Sequence, residues 1–409
     1  MMTLRLDHPD ALDLVIRGGR VLDPGTGLDA RLDVGVRYGR IVALEPDLTA
    51  RIADRSTKMP WDLGTTIINA ADRMVTPGFV DIHTHVFEGA GTLSVPADET
   101  SATSGTTTVV SAGDAGADTI GAFRRVVVQG SRTRVYAFLN VSTVGLAPWP
   151  AGEAINLDML DVSAGIRAVR ENPDIVIGVK VRMTEPEITG ENGLEPLRRA
   201  VAIGEATGLP VMMHLGDGLW HIGDLLGLLR PGDIATHCYT GCINTLVQDG
   251  NLVPEAMEAR RRGVLFDVGH GAGAFVYRTV DVAVAEGFWP DTISTDLHSF
   301  SLNGAMVDLP TTMSKFLALG MPLEEVLVRV TSRPAAVIGK SVTVGAIELG
   351  RSADLAIVDV ESAPQVFRDT DGVERRATQR LRVHHTIREG IPWFRPLPYP
   401  RRGPALRAD

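Results

Sequence analysis

The sequence predicts an α/β protein in which a (β/α)8 barrel, a TIM barrel, is joined to a small β-sandwich domain. Between residues 77 and 340, apolar strand-like runs alternate with helical segments, which is typical of a parallel sheet. Short strand-like runs separated by turn residues occupy both chain ends. We therefore expect residues 1–76 and 341–409 to form the sandwich together, with the barrel between them.

The chain ends have the shorter rhythm of a sandwich. Residues 12–17, 20–23, 32–36 and 40–44 read as strands, with a turn at Gly18-Gly19 between the first two. After residue 340 the pattern returns in Ala353–Val360 and again within residues 377–394. The sequence thus predicts a composite domain that uses both termini.

The central region contains eight strand candidates, each bounded by turn residues or by a helical segment. Leu194–Thr207 and Val253–Arg262 are two of the helical segments. In such barrels the active site lies at the carboxyl ends of the strands. The eight candidates are Phe79–His85, Thr106–Ser111, Val135–Val141, Ile175–Val181, Pro210–Leu215, Asp233–His237, Val264–Val268 and Thr292–Asp296.

Composition excludes several classes of protein. The 409 residues are 44% hydrophobic and 22% charged, with a net charge of −10, which argues against a nucleic-acid partner. The first 15 residues lack the apolar core of a signal peptide, and no apolar run is long enough to cross a membrane. Two cysteines cannot build a disulfide framework. We expect a cytoplasmic enzyme with a small-molecule substrate and no membrane partner.

His83 and His85 are the most informative residues of the chain. They end the first barrel strand, and alternate residues of a strand face the same side, so the two imidazoles point together. Two polar residues at a strand exit would explain this pair equally well if it stood alone. Three further strands that end in metal-binding side chains make a metal site the better explanation: His214, His237 and Asp296 end the fifth, sixth and eighth strands.

Lys180 lies in the apolar fourth strand, in a chain where only four of the 40 basic residues are lysine. Burial opposes the charged form of an amine, and a neutral lysine amine can react with carbon dioxide to form a carbamate that bridges two cations. A lysine that reaches the strand end, or that pairs with a carboxylate, is the alternative.

This set of residues resembles the amidohydrolase superfamily, in particular its binuclear metal-dependent members with a carboxylated lysine. Within it, the segments Lys180-Val181-Arg182 and Phe266-Asp267-Val268-Gly269-His270-Gly271 are most similar to dihydroorotase-like amidohydrolase/deacetylase proteins. True dihydroorotases carry an arginine two residues after the histidine pair, where this chain has Phe87. Synthesis of pyrimidines is therefore not the expected function.

The resemblance implies two divalent metal ions, with zinc the expected metal. It makes His83 and His85 ligands of one ion, and His214 and His237 ligands of the other. Asp296 is implied as a ligand of the first ion and as the catalytic proton carrier. Lys180, N-carboxylated by CO2, is implied as the bridge, and the family favours a homo-oligomer.

Four further residues are candidates for substrate contact. Arg182 shares the face of Lys180 and could hold a substrate carboxylate, although a salt bridge at the rim is the alternative. His270 follows the seventh strand among glycines, while Tyr239 and His298 follow the sixth and eighth. For Tyr239 and His298, a hydrogen bond behind the ligands is the alternative.

Three functions are compatible with these residues. The first is a hydrolase that cleaves an amide or ester, in particular the N- or O-acetyl group of a small carboxylic acid, with a metal-bridging hydroxide. The second is a cyclic amidase that opens a hydantoin-, imide- or dihydroorotate-like ring. The third is a non-catalytic binding protein, which the full set of ligands disfavours because such proteins usually lose ligands.

Overall fold

The computed structural model describes residues 11–52, 64–184, 189–218, 220–302 and 304–393. The amino-terminal strands are β1 (Leu14–Asp23), β2 (Leu28–Arg37), β3 (Arg40–Glu45), β4 (Thr66–Asn69) and β5 (Met74–Pro77).

The predicted turn at Gly18-Gly19 is wrong, because β1 runs through it as one strand. The register with β2 shifts between Ile16 and Gly19, which marks a bulge rather than a turn. Gly18 has a φ of 70°, and its N–H donates to Asp33 Oδ1 at 2.8 Å. The glycines absorb an irregularity inside the strand, so the two predicted strands are continuous.

A parallel sheet forms the barrel, and seven of the eight predicted strands are confirmed within about two residues, whereas the predicted eighth strand, Thr292–Asp296, is not a strand of this sheet. The sheet has seven strands in the order β14-β11-β10-β9-β8-β7-β6. Single parallel bridges join Thr292 to Asp267 of β14 and Leu297 to Thr84 of β6, so the segment between them closes the ring at the eighth position. The strands are β6 (Phe79–Thr84), β7 (Thr106–Ala112), β8 (Arg134–Asn140), β9 (Val176–Met183), β10 (Val211–Leu215), β11 (Ile234–Thr236) and β14 (Leu265–Asp267). This is a TIM-barrel-like α/β fold.

Strands from both chain ends join one sheet. β15 (Leu355–Arg368), β16 (Glu374–Arg388) and β17 (Ile391–Trp393) extend the amino-terminal strands in the order β17-β16-β15-β5-β1-β2-β3, with β4 on β1. Within the long β15–β16 hairpin, β16 also packs on the helix Leu309–Ala318, where the Leu381 N–H donates to Ser314 Oγ. A two-layered sandwich stays a prediction. A short hairpin, β12 (Val247–Gln248) and β13 (Asn251–Leu252), lies in the loop after β11.

The helices lie between barrel strands and after the closing segment. Both predicted helical segments are confirmed, and each ends at a glycine with positive φ: Gly208 at 72° and Gly263 at 97°. No helix among the described residues is long and apolar enough to cross a membrane. The helices are α1 (Ala97–Ser101), α2 (Ile120–Phe123, continued by a π-helical turn, Arg124–Val128), α3 (Val162–Glu171), α4 (Glu195–Thr207), α5 (Ile222–Leu228), α6 (Pro254–Arg262), α7 (Tyr277–Ala285), α8 (Leu309–Ala318), α9 (Leu323–Val328) and α10 (Ser332–Val337); short 3-10 turns cover Thr49–Arg51 and Leu157–Met159.

Candidate metal centre

The barrel brings the six predicted ligands to one cluster. His83 Nε2 lies 3.3 Å from Asp296 Oδ1, and His85 Nε2 lies 3.0 Å from the same oxygen. Lys180 Nζ lies 3.1 Å from His83 Nε2. These three residue types thus converge on one point, and His83, His85 and Asp296 form a group able to hold a metal ion.

A second pair of ligand atoms lies beside the first group. His237 Nε2 and His214 Nδ1 are 2.9 Å apart, and the His237 and His83 rings are 4.9 Å apart between centroids. Two nitrogens that share a zinc ion at its usual bond lengths lie about 3.3 Å apart. The spacing therefore fits two imidazoles aimed at a common cation.

The outer nitrogens of three histidines are held by acceptors, so that in the neutral form of each ring the lone pair lies on the inner nitrogen. His85 Nδ1 donates to Asp114 Oδ1 at 2.5 Å, and His237 Nδ1 donates to the Gly269 carbonyl at 2.6 Å. His83 Nδ1 donates to Thr236 Oγ1 at 2.8 Å, and this hydroxyl donates to Asp267. Such outer hydrogen bonds fix the tautomer that binds a metal.

Sequence reasoning missed the role of Asp114, which is the main support of His85. Its Oδ2 accepts from the backbone N–H groups of Val86 and Phe87 and from the Ser111 hydroxyl. Asp114 follows β7 by two residues, so an acidic residue just beyond a barrel strand was the available signal. Asp267, which also accepts from the Thr292 and Ser294 hydroxyls, supports His83 in the same way.

Unusual backbone geometry places two of the ligands. His237 has a φ of 69° and Asp296 a φ of 49°, a region that non-glycine residues rarely adopt. Both lie where a strand ends, so the turn redirects the side chain toward the barrel axis. A Cβ at Gly271 would lie 2.4 Å from Asp296 Oδ2, which explains why only glycine fits there.

Burial favours neutral side chains at most of the cluster. It lowers the pKa of Lys180 to about 8 and that of His237 to about 4, and the pKa values of His83 and His214 well below the usual range. Neutral imidazole is the form that binds metal ions.

His85 and Asp296 are the charged members of the cluster. Burial opposes the protonated form of His85, but the carboxylates of Asp114 and Asp296 outweigh it and raise its pKa to about 9. Burial likewise opposes ionisation of Asp296, yet the neighbouring His83 and His85 hold its pKa well below the usual range. A metal ion would have to displace the proton from His85.

All members of the cluster except His83 line a cavity of about 320 Å3. That volume lies at the lower end of the range for small-molecule sites. The lining also includes Leu93, Leu146 and Leu215, and the rings of Trp149 and Phe300, with centroids 5.7 Å apart. The cavity suits a small substrate with a hydrocarbon part.

The four predicted substrate contacts divide into two pairs. Arg182 and His298 line the cavity. Tyr239 is fully buried and donates its hydroxyl to the Phe288 carbonyl at 2.9 Å, while His270 is fully buried against Lys315. The structure does not bring Tyr239 and His270 to the cavity surface, so their placement does not fit a substrate contact.

Arg182 is already paired, as its alternative interpretation allowed. Its Nε and Nη2 donate to both carboxylate oxygens of Glu153 at 2.9 and 2.6 Å, and Glu153 is 2% exposed. This bidentate contact uses two of the five N–H groups of the guanidinium, which leaves three donors. Glu153, which the sequence did not single out, orients Arg182 at the cavity wall.

The comparisons with known proteins agree with this geometry. Residues 74–380 match the model of the Amidohydrolase family. The chain belongs to the amidohydrolase family. This membership confirms the predicted class, a hydrolase that acts on C–N bonds, and the family generally uses a divalent metal ion.

The similar proteins carry three kinds of name, of which deacetylase and dihydroorotase bear on the predictions. A protein of Agrobacterium fabrum named Deacetylase Atu3266 is 32% identical over 339 residues, which cover 82% of this chain and 83% of the relative. A solved structure described as a dihydroorotase superposes with a TM-score of 0.84 at 30% identity, covering 93% of this chain and 97% of that one. Another, described as an adenine deaminase, has a TM-score of 0.83 at 29% identity, covering 93% and 99%.

Proposed function

We propose that this amidohydrolase is a binuclear metal-dependent deacetylase that hydrolyses the N- or O-acyl group, acetyl in the first place, of a small carboxylic acid. The observation that carries the proposal is the convergence of six candidate ligand side chains, five of which line one small cavity. The deacetylase name of a relative that matches most of the chain supports it.

The side chains present fit two divalent ions of the zinc type. Four imidazoles and one carboxylate are ligands that zinc accepts. His83, His85 and Asp296 would hold one ion, and His214 and His237 the other, with Lys180 between the two groups. When bound, such ions lower the pKa of a water molecule and polarise a carbonyl group.

Lys180 has the surroundings that an N-carboxylated lysine needs. Its side chain is 3% exposed, and its Nζ contacts a histidine nitrogen and the Met212 sulfur, at 3.8 Å, rather than a carboxylate. In the neutral form, the amine forms a bond to the carbon of CO2 and releases one proton, which gives an anionic carbamate. The carbamate oxygens could then bind metal ions, whereas a protonated amine has no lone pair to do so.

Asp296 carries the proton in the proposed reaction. Its carboxylate stays ionised because His83 and His85 lower its pKa, and it faces the cavity. Oδ2 accepts a proton from the attacking water and then donates it to the leaving nitrogen or oxygen. His298, which also lines the cavity, is placed to donate a hydrogen bond to the acyl oxygen or the leaving group.

Arg182 is proposed as the group that holds the carboxylate of the substrate. Its three remaining N–H donors are in reach of the cavity, and Glu153 holds the plane of the guanidinium. The pair is neutral as a whole, so it adds no large field to the cavity wall.

A cyclic amidase is the second candidate, which the similarity to a solved dihydroorotase structure favours. Dihydroorotate itself is a poor fit. Phe87 occupies the position of the expected arginine, is 4% exposed, and packs its ring edge-on against Phe123 with centroids 5.2 Å apart.

We further propose that the eight-stranded sheet belongs to a sandwich domain of residues 1–76 and 341–409 and that 77–340 form the barrel domain. A cytoplasmic homo-oligomer is the proposed state of the protein. Size-exclusion chromatography with light scattering tests the oligomer.

The test is a substrate screen on protein that is purified without chelator and loaded with Zn2+ and bicarbonate. Release of acetate from N-acetyl amino acids or O-acetyl hydroxy acids supports the deacetylase. The isosteric Asp296→Asn variant, as the matched control, should lose at least about a hundredfold in kcat. Ring opening of hydantoins or cyclic imides without acetate release would favour the second candidate. A protein without either activity would refute both candidates.

A further inference from the structure

A second fully buried lysine lies outside the metal cluster. Lys315, in α8, is 1% exposed. We propose that Lys315 is a positioning residue: its ammonium group holds the loop after β14 in place and so shapes the cavity wall formed by residues 272–274. The activity part of this proposal rests on the hydrolase function proposed above.

Three neutral acceptors surround the Lys315 ammonium. Its Nζ donates to His270 Nε2 at 2.7 Å, to the Ala305 carbonyl at 2.9 Å and to the Arg368 carbonyl at 2.5 Å. These acceptors belong to the loop after β14, the loop after the closing segment, and the end of the β15–β16 hairpin. Lys315 thus joins three chain segments that are distant in sequence.

In its protonated form Lys315 has three N–H donors, one for each acceptor, while burial lowers its pKa to about 7 against the opposing effect of the Asp369 carboxylate. His270 Nδ1 donates to the Gly271 carbonyl at 2.9 Å, so Nε2 carries the lone pair and accepts from Lys315. The His270 ring also stacks on Phe275 with centroids 4.5 Å apart and planes 9° apart. The imidazole is therefore fixed on its edge and on its face.

The backbone of the loop is anchored unevenly. The closing segment holds the first part of the loop: the Gly269 N–H donates to Ser294 Oγ at 3.0 Å, the His270 N–H to the Ser294 carbonyl at 3.3 Å, and the Gly271 N–H to the Thr295 carbonyl at 2.8 Å. Beyond Gly271, the Ala274 N–H donates to the His270 carbonyl at 3.2 Å, and on the far side of the wall the Phe275 N–H donates to Thr370 Oγ1 at 3.4 Å. The position of the wall therefore depends on His270 and Phe275, whose rings stack, and Lys315 contacts both: its Nζ bonds His270 Nε2 and lies 5.2 Å from the centre of the Phe275 ring.

This geometry predicts a specific kinetic effect. Ala272, Gly273 and Ala274 line the cavity but do not belong to the metal cluster. Loss of the Lys315 contact should let the wall move while the ligands stay in place. A wall that contacts the substrate equally in the ground state and in the transition state affects KM rather than kcat.

The test compares Lys315→Met with Lys340→Met, which alters a lysine whose Nζ lies 5.0 Å from the Tyr136 ring centre, outside the cavity lining. In Lys315→Met we expect the metal content of the wild type, a KM raised about tenfold and a kcat within about threefold. We also expect faster amide hydrogen exchange in residues 272–274. Lys340→Met should match the wild type in all four measurements.

Two results would overturn the proposal. The first is a folded, metal-loaded Lys315→Met protein with the KM and exchange of the wild type, even if its Tm falls, because Lys315 would then only stabilise the fold. The second is an equal loss of kcat and metal. If Lys315→Met does not fold, His270→Phe breaks the same contact from the other side and must give the same KM and exchange changes.

The exchange measurement separates this proposal from the proposed function. If the wild type hydrolyses no acyl or cyclic substrate, the function fails, and exchange in residues 272–274 still decides the role of Lys315. If the wild type is active but Lys315→Met and His270→Phe keep its KM and exchange rates, only the positioning role of Lys315 is refuted.

Discussion

Asp114→Asn is the sharpest test of how the protein supports a metal ligand. Asp114 Oδ1 accepts from His85 Nδ1, whereas Oδ2 accepts from two backbone N–H groups and the Ser111 hydroxyl. An asparagine side chain has a single acceptor oxygen. The three donors that bond Asp114 Oδ2 would hold that oxygen on their side. Its NH2 group would then face His85 and force the proton onto Nε2, where the metal should bind.

The magnitude follows from this change of tautomer. Loss of an outer hydrogen bond to a ligating histidine costs about 10- to 100-fold in metal affinity. Loss of the hydrogen bond between His85 and the carboxylate should also lower the free energy of unfolding by about 1–3 kcal/mol. Titration of chelator-treated protein with Zn2+ in a competitive dye assay measures the affinity, and thermal unfolding measures the stability.

Asp233→Asn is the matched control. Asp233 is equally buried and accepts from the Val211 N–H and from Arg230, but it lies at the opposite end of its strand from His237. It should lose stability without losing metal affinity. Wild-type Zn2+ affinity in Asp114→Asn would refute the reasoning, because the tautomer of His85 would then not depend on the carboxylate.

Three further predictions follow from the site. First, Zn2+ affinity of the metal-free protein should rise by about tenfold per pH unit up to pH 9 for each proton displaced, since His85, with its pKa raised to about 9, must lose a proton to bind. The Lys180 pKa of about 8 acts in the same direction, because carboxylation needs the neutral amine; a constant affinity from pH 6 to 9 would contradict this. Second, the double variant Arg182→Gln/Glu153→Gln, which leaves no buried charge unpaired, should raise KM for acylated acids about 10- to 100-fold while neutral acyl esters keep their KM; equal KM changes for both would exclude the carboxylate contact. Third, Tyr239→Phe should lower the unfolding free energy by about 1 kcal/mol and leave KM unchanged, because its hydroxyl bonds the Phe288 carbonyl behind the cavity wall; a raised KM would show that Tyr239 reaches the substrate.

Strand periodicity predicted the site wherever a strand stays regular. Lys180 and Arg182 are two residues apart within β9, so alternation places both on the cavity side, as expected. His237 and Tyr239 have the same spacing but do not share a side. The φ of 69° at His237 ends the alternation, and Tyr239 turns into the core. A strand pattern cannot reveal that change of direction.

The sequence alone also could not predict which distant segments contact each other. Asp114 supports His85 from the next strand, and Lys315 meets His270 and Arg368 only after the hairpin has folded back on α8. Lysine is scarce in this chain, and that argument for a special role applies to Lys315 as much as to Lys180. A lysine in an amphipathic helix nevertheless gives no sign that it is buried, because most such residues face solvent.

The central claim is that Lys180 is part of a two-metal site. The direct measurement is metal content by mass spectrometry on protein purified without chelator, for the wild type, Lys180→Ala and the control Lys340→Ala. The account predicts about two divalent ions per chain in the wild type and in the control, and loss of metal in Lys180→Ala. A single ion per chain that is unchanged in Lys180→Ala would contradict it.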